Sequence, residues 1–153
     1  MKRLSGKNRA VLRQTHGLLN DNSEDITYRS YDLLFTRHPR LRPLFPEARV
    51  HHPQIFQIAL QACSRMVING GDLADFEFRR IAAKHCILGM ESSLRPLLHK
   101  YLLEAMEDVL FDDATEDMLA AWSLVFKCVF DHLGIMEGNG TQSGLRLAKV
   151  DTC

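Results

Sequence analysis

The chain lacks an excess of charge of either sign. Nineteen lysines and arginines face nineteen aspartates and glutamates over 153 residues. Nucleic acid is therefore excluded as the main partner, because phosphate recognition needs clustered positive charge. No apolar run reaches membrane-spanning length; MLAAWSLVFKCVF comes nearest and carries Lys127. No apolar run follows the charges of MKRLSGKNRA, so no secretory leader is expected there. The four cysteines, Cys63, Cys86, Cys128 and Cys153, are widely spaced and form no C-x-x-C pair. That spacing argues against a disulfide framework or a structural zinc site and for reduced thiols in a cytoplasmic setting. Repeats, low-complexity tracts and strand-like alternation are also missing.

Helical periodicity is what remains, and it recurs along the chain. It predicts helices over about 5–19 and 23–37, separated by the cap-rich NDNSED. Four of the five prolines, Pro39, Pro43, Pro46 and Pro53, fall in one stretch, which predicts a short helical turn and a corner. QIFQIALQACSRMV places Ile55, Ala59, Ala62, Cys63 and Met66 on one face, before Gly70 and Gly71. DLADFEFRRIAAKHC follows and stops at Gly89. Ser93 is placed to cap LRPLLHKYLLEAMEDVL, with Pro96 tolerated in the first turn. Asp113 and Glu116 form a capping-box pattern ahead of a last helix over 114–133. The expected organisation is one domain over 1–153, with its core at about 5–137 and a loose polar tail at 138–153.

His85 is the sharpest position. Phe78 and Ile81, three and four residues apart from one another and from it, turn it toward the core. A buried histidine bonded to a backbone carbonyl would satisfy that pattern, and so would a metal ligand. No H-E-x-x-H motif accompanies it, and the Cys128–His132 pair is weak evidence for zinc. A lone inward histidine suits a cofactor that carries its other ligands with it, as the porphyrin of haem does.

Three segments bring a family into view. SYDLLFTRHPRLRPLF (30–45) ends in Phe45, IAAKHCILGM (81–90) contains His85, and SLRPLLHKYLLEAM with TEDMLAAWSLVFKCVF holds the Ala121–Trp122 pair. Together they resemble the globins, above all the single-domain globins and the globin module of flavohaemoglobins, over roughly residues 5–137. The resemblance implies an all-α globin fold, a three-over-three helical sandwich around one haem b (iron protoporphyrin IX). It implies His85 as the proximal iron ligand, its ring fixed near Ile81, and Phe45 against the haem face. Met90, Leu94 and Leu98 would line the proximal edge, and Tyr31 would be a distal hydrogen-bond donor.

The distal position stays open. One register places Gln54 over the iron, another Ile55 with Ala59, a third Ile58; the apolar face favours an isoleucine. His52 as a sixth ligand would require the helix to start before Pro53. The family's proximal tyrosine is replaced by Arg95, which would pair with a haem propionate or be solvated, while Glu137 occupies the glutamate position. The implied ligands are O2, NO and CO, with nitrite and an external electron donor as further partners. The implied role is gas or redox sensing rather than bulk oxygen storage. Nitric oxide dioxygenase or nitrite reductase activity, or a haem-free regulatory domain within a larger receptor, are the alternatives.

Overall fold

The computed structural model describes residues 4–45, 53, 54, 57, 60 and 93–148, with the side chains of 132, 133 and 135–148 outside that description. Four helices carry the described fold: α1 (Gly6–Asp21), α2 (Ser23–Arg37), α3 (Leu94–Leu110) and α4 (Glu116–Ala148). Short 3-10 segments follow α2 (Pro39–Leu44) and α3 (Phe111–Asp113). Pro53, Gln54, Gln57 and Leu60 are also helical, and no strand occurs among the described residues.

Local chemistry sets the helix ends. Ser5 caps α1 by accepting from the Asn8 N–H at 3.1 Å. Asn22 works backwards: its side chain and its backbone N–H both donate to the Leu18 carbonyl, satisfying an end of α1 that would otherwise be orphaned. The proline-rich corner becomes the 3-10 segment Pro39–Leu44, as expected. Two expected caps differ. Ser93 is itself in helical conformation and its side chain makes no capping bond. The start of α4 is capped by Thr115, whose hydroxyl accepts from the Met118 N–H at 3.3 Å, so the helix begins at Glu116 rather than 114.

The C-terminal bound of the last helix differs as well. The helix expected to stop near 133 runs to Ala148, through Gly138, Gly140 and Gly144. Each interior glycine costs only about 1 kcal/mol relative to alanine, and no proline follows Pro96 to break the ladder.

α2 and α3 pack antiparallel. Arg29 bonds Asp108 at 2.7 Å, Arg37 grips Glu104 with both nitrogens at 2.7 and 2.5 Å, and His38 meets the Tyr101 hydroxyl at 2.9 Å. Partner numbers fall along α3 as they rise along α2. The small polar residues Thr27 and Ser30 are buried on α2, and their hydroxyls donate to the Ser23 and Thr27 carbonyls at 2.7 and 2.8 Å. No buried hydroxyl is thereby left unpaired in that face.

α1 packs on α4. Leu12 and Leu19 are buried on α1, seven residues and two turns apart. On α4, Met118, Ala121, Trp122, Val125 and Val129 are buried, the face the periodicity predicts. The Trp122 indole N–H donates to the Thr15 hydroxyl at 2.8 Å, and Thr15 donates in turn to the Val11 carbonyl at 2.8 Å. One corner is strained: Phe111, at the end of α3, has φ 48° and is 78% exposed.

Between α3 and α4, His99 shares a hydrogen bond of 3.1 Å with the Ser123 hydroxyl and sets its ring against Phe126 and Phe130. Desolvation, then the nearby Lys127, hold its pKa below the ordinary histidine value, against the opposing pull of Ser123 and Asp131. The fold therefore favours the neutral ring, and the unfolded chain binds the proton more readily. The stability from this site is fully present above the unfolded value of about 6.5 and is lost as pH falls below it toward the folded value. Urea titrations of the wild type and His99→Gln should diverge in pH slope below about pH 6.5, with the variant flatter. Parallel slopes would show that His99 does not sense pH through folding.

Candidate functional site

The corner after α2 brings three aromatic rings together. Tyr31 and Phe35 lie one turn apart on α2 and stack with centroids 5.5 Å apart at 25°. The 3-10 segment then returns Phe45, whose centroid lies 5.5 Å from Tyr31 and 5.8 Å from Phe35. Phe35 and Phe45 are buried, whereas Tyr31 keeps a partly accessible face. The spacings suit offset and tilted aromatic contacts. On the outer side, the Arg42 guanidinium lies 5.0 Å over the Phe35 ring.

Desolvation pushes the Tyr31 phenol far above the ordinary tyrosine value. The group thus keeps its proton at every physiological pH. A phenol beside two phenylalanines forms an apolar wall with a single polar point.

The start of α3 adds further residues. Leu94 is buried there, and Leu97 and Leu98 are partly buried against the core. Arg95, half-buried, lays its guanidinium on α4 at Gly134, where a Cβ would stand 2.8 Å from one terminal nitrogen.

Of the residues read from sequence, Tyr31 and Phe45 are brought into contact, and Leu94, Arg95 and Leu98 share one end of α3. Gln54 is exposed, while Pro53 and Leu60 are buried and Gln57 donates to Asn20 at 3.5 Å. His85, His52, Ile55, Ile58, Ala59, Ile81 and Met90 lie outside the described residues. Phe35 and Arg42 were not singled out as site residues. Phe35 could have been found as the aromatic one turn after Tyr31; nothing local marks Arg42. Among the described residues, no helix is long and apolar enough to cross a membrane.

An aromatic wall made by two helical turns and a returning phenylalanine, on an all-helical frame, defines a protein with a globin-type architecture. Comparison with known proteins agrees: residues 29–133 match the family model described as Globin. The chain belongs to the globin family. It is 31% identical over 119 residues to an uncharacterized globin-like protein of Aquifex aeolicus, covering 78% of this chain and 84% of that one. It is 29% identical over 130 residues to a flavohemoprotein of Bacillus subtilis, covering 84% of this chain and 33% of that one. The chain thus spans about a third of the length of the curated flavohemoproteins it matches.

Among solved structures, it resembles an engineered carbene transferase, a putative nitric oxide dioxygenase from Rhodothermus marinus. The TM-score is 0.75 and the identity 28%, over 95% of this chain and 99% of that one. A bacterial globin from Campylobacter jejuni shares the fold at TM-score 0.77 and 20% identity, over 90% of this chain and 99% of that one.

Haem binding is implied by the family. The described residues fit such a group: an aromatic wall can face a flat macrocycle, the leucines of α3 offer apolar cover, and one phenol stays protonated. The donor set otherwise expected there rests on His85.

Proposed function

We propose that the chain binds haem b through His85 and takes up diatomic gases, O2, NO and CO, in a gas- or redox-sensing role rather than in oxygen storage. The observation that carries this reading is the 5.5 Å contact between Tyr31 and Phe45 in a chain of the globin family. When bound, haem supplies an iron centre that takes a diatomic ligand and exchanges one electron.

The chain's own residues would then divide the work. Phe45 would press on the haem face, and Leu94, Leu98 and Met90 would line the proximal edge. Ile81 would fix the His85 imidazole through its carbonyl. Tyr31 would donate its hydroxyl proton in a hydrogen bond to the bound gas. On the distal helix, Gln54, Ile55 with Ala59, or Ile58 would face the iron, and the apolar face favours an isoleucine. A site with one donor and apolar neighbours holds a polarised gas less firmly than a two-donor site. That favours quick exchange and oxidation, and access for small anions such as nitrite.

A second reading is favoured by the likeness to the putative nitric oxide dioxygenase from Rhodothermus marinus, which spans nearly both chains. An enzyme of that kind would also need a source of electrons for the haem. A cytoplasmic location, or tethering within a larger receptor, accords with either reading.

The purified protein should show a Soret band, directly or after haem addition; its absence would overturn both readings. Tyr31→Phe should then speed O2 dissociation about 10- to 100-fold, as loss of a hydrogen bond to a charged group implies. CO release should change little, because bound CO carries less charge. Stopped-flow displacement measures both, and an unchanged O2 rate would remove Tyr31 from the distal site.

A further inference from the structure

The even balance of charge over the whole chain hides a segregation along α3. Residues 33–46 hold no aspartate or glutamate but three arginines, Arg37, Arg40 and Arg42, all exposed. Tyr101 joins this corner to α3. His38 bonds its hydroxyl at 2.9 Å, and the Arg37 and Lys100 cations stand 5.3 and 5.6 Å from its ring centre. Glu104 matches Arg37. Among the described residues, no hydrogen bond or ion pair reaches Arg40 or Arg42. The sign reverses at the far end of α3, where Asp112, Asp113, Glu116 and Asp117 are exposed, with Lys7 on Asp117. The helix rises roughly 14 Å between Tyr101 and Leu110, so the molecule carries a dipole with its positive end at the corner.

That positive end touches the aromatic wall. The Arg42 guanidinium lies 5.0 Å over the Phe35 ring, and Phe35 stands 5.5 and 5.8 Å from Tyr31 and Phe45. A partner seated on Arg42 is one ring away from both. We infer that the corner at 37–42, with Lys100 beside it, is the docking surface for an acidic electron-donor protein that reduces the haem. The inference rests on the haem reading above. One electron leaves the donor and takes ferric haem to ferrous; no bond forms or breaks in this chain. Two unmatched arginines and a lysine suit a brief encounter, because steering by opposite charge speeds association without a large interface, and electron-transfer contacts are small and weak. The same cations are too few to hold an anionic membrane, at about 1 kcal/mol for each.

Photoreduced flavodoxin, an acidic one-electron donor, is the probe. Its stopped-flow reduction of the ferric haem-loaded protein should slow about tenfold between roughly 0.01 and 0.5 M salt, as screening shortens the reach of the charges. At low salt, Arg40→Gln should lower the rate about 3-fold and Arg40→Glu about 10-fold, with all three proteins converging at high salt. Arg40 is exposed, so both variants should fold. Arg9→Glu makes the same change of net charge on an exposed site of α1 and should cost less than about 2-fold. Neutral photoreduced deazaflavin should reduce every variant at the wild-type rate. A rate indifferent to salt, equal losses for Arg40→Glu and Arg9→Glu, or a matching loss with deazaflavin would overturn the assignment. Binding is also read without electron transfer, by titrating the diamagnetic CO form with oxidised flavodoxin. Amide shifts should centre on 36–45 and 97–101, and shifts centred elsewhere would contradict the site. Sedimentation with phosphatidylserine vesicles that depends on Arg40, with flavodoxin left unbound, would make the corner a membrane contact instead. Failure to bind haem shows in the wild-type spectrum before any substitution, whereas failure of the docking site leaves that spectrum intact.

Discussion

Replacing His85 with alanine should abolish stable haem binding. Partners that merely orient a metal ligand are worth 10- to 100-fold in affinity, so loss of the ligand itself should cost more than about a hundredfold. Two other histidines are held within the frame. The chain has seven. His38 is engaged with the Tyr101 hydroxyl at 2.9 Å, and His99 with the Ser123 hydroxyl at 3.1 Å between α3 and α4. Both lie on contacts that build the frame. Haem transfer from the variant to an acceptor apoprotein measures retention, and added imidazole should restore part of the ferric spectrum. A variant that keeps its Soret band and releases haem at the wild-type rate would move the ligand elsewhere, with His52 the first position to try.

Trp122→Ala should be the costliest core substitution, at about 3–5 kcal/mol. The indole is 1% exposed, packs against Phe126 at 5.9 Å, and donates to Thr15 on α1. Truncation opens a cavity at the α1–α4 contact and removes a donor at the same time. Trp122→Phe keeps most of the apolar volume and leaves Thr15 bonded to the Val11 carbonyl, so it should cost about 1–2 kcal/mol. Circular dichroism in urea is the suitable probe, because Trp122 is the only tryptophan and either variant loses its fluorescence. A loss below about 1 kcal/mol for the alanine variant would show that the site collapses around the missing ring.

Much of the frame could be read from local pattern. The expected 23–37 helix is α2, and LRPLLHKYLLEAMEDVL is α3 to the residue, because apolar spacing and proline placement act over one or two turns. The buried face of α4 was likewise legible at Met118, Ala121, Trp122, Val125 and Val129. Its ends were not. Thr115 outcompetes Asp113 as the cap, and glycines that look like breakers cost too little to stop a helix already propagating. The site was legible where residues lie one turn apart, as Tyr31 and Phe35 do. The contact of Phe45 with both depends on how the corner turns. The seat of Arg95 on Gly134 joins residues on different helices, and no local pattern records it.

The contact between α1 and α4 also bears on the order in which the molecule is made. Thr15 and Trp122 are 107 residues apart, and Lys7 reaches Asp117 across 110. During synthesis at about 5–20 residues per second, α1 waits roughly 5–20 s for its partner to emerge. Over that interval Leu12 and Leu19 have no α4 to cover them. α2 waits similarly for α3, since Arg29 and Asp108 are 79 residues apart. The nascent chain therefore carries two amphipathic helices with unmet apolar faces until its last third is made, and that is when it is most open to chaperones and to aggregation.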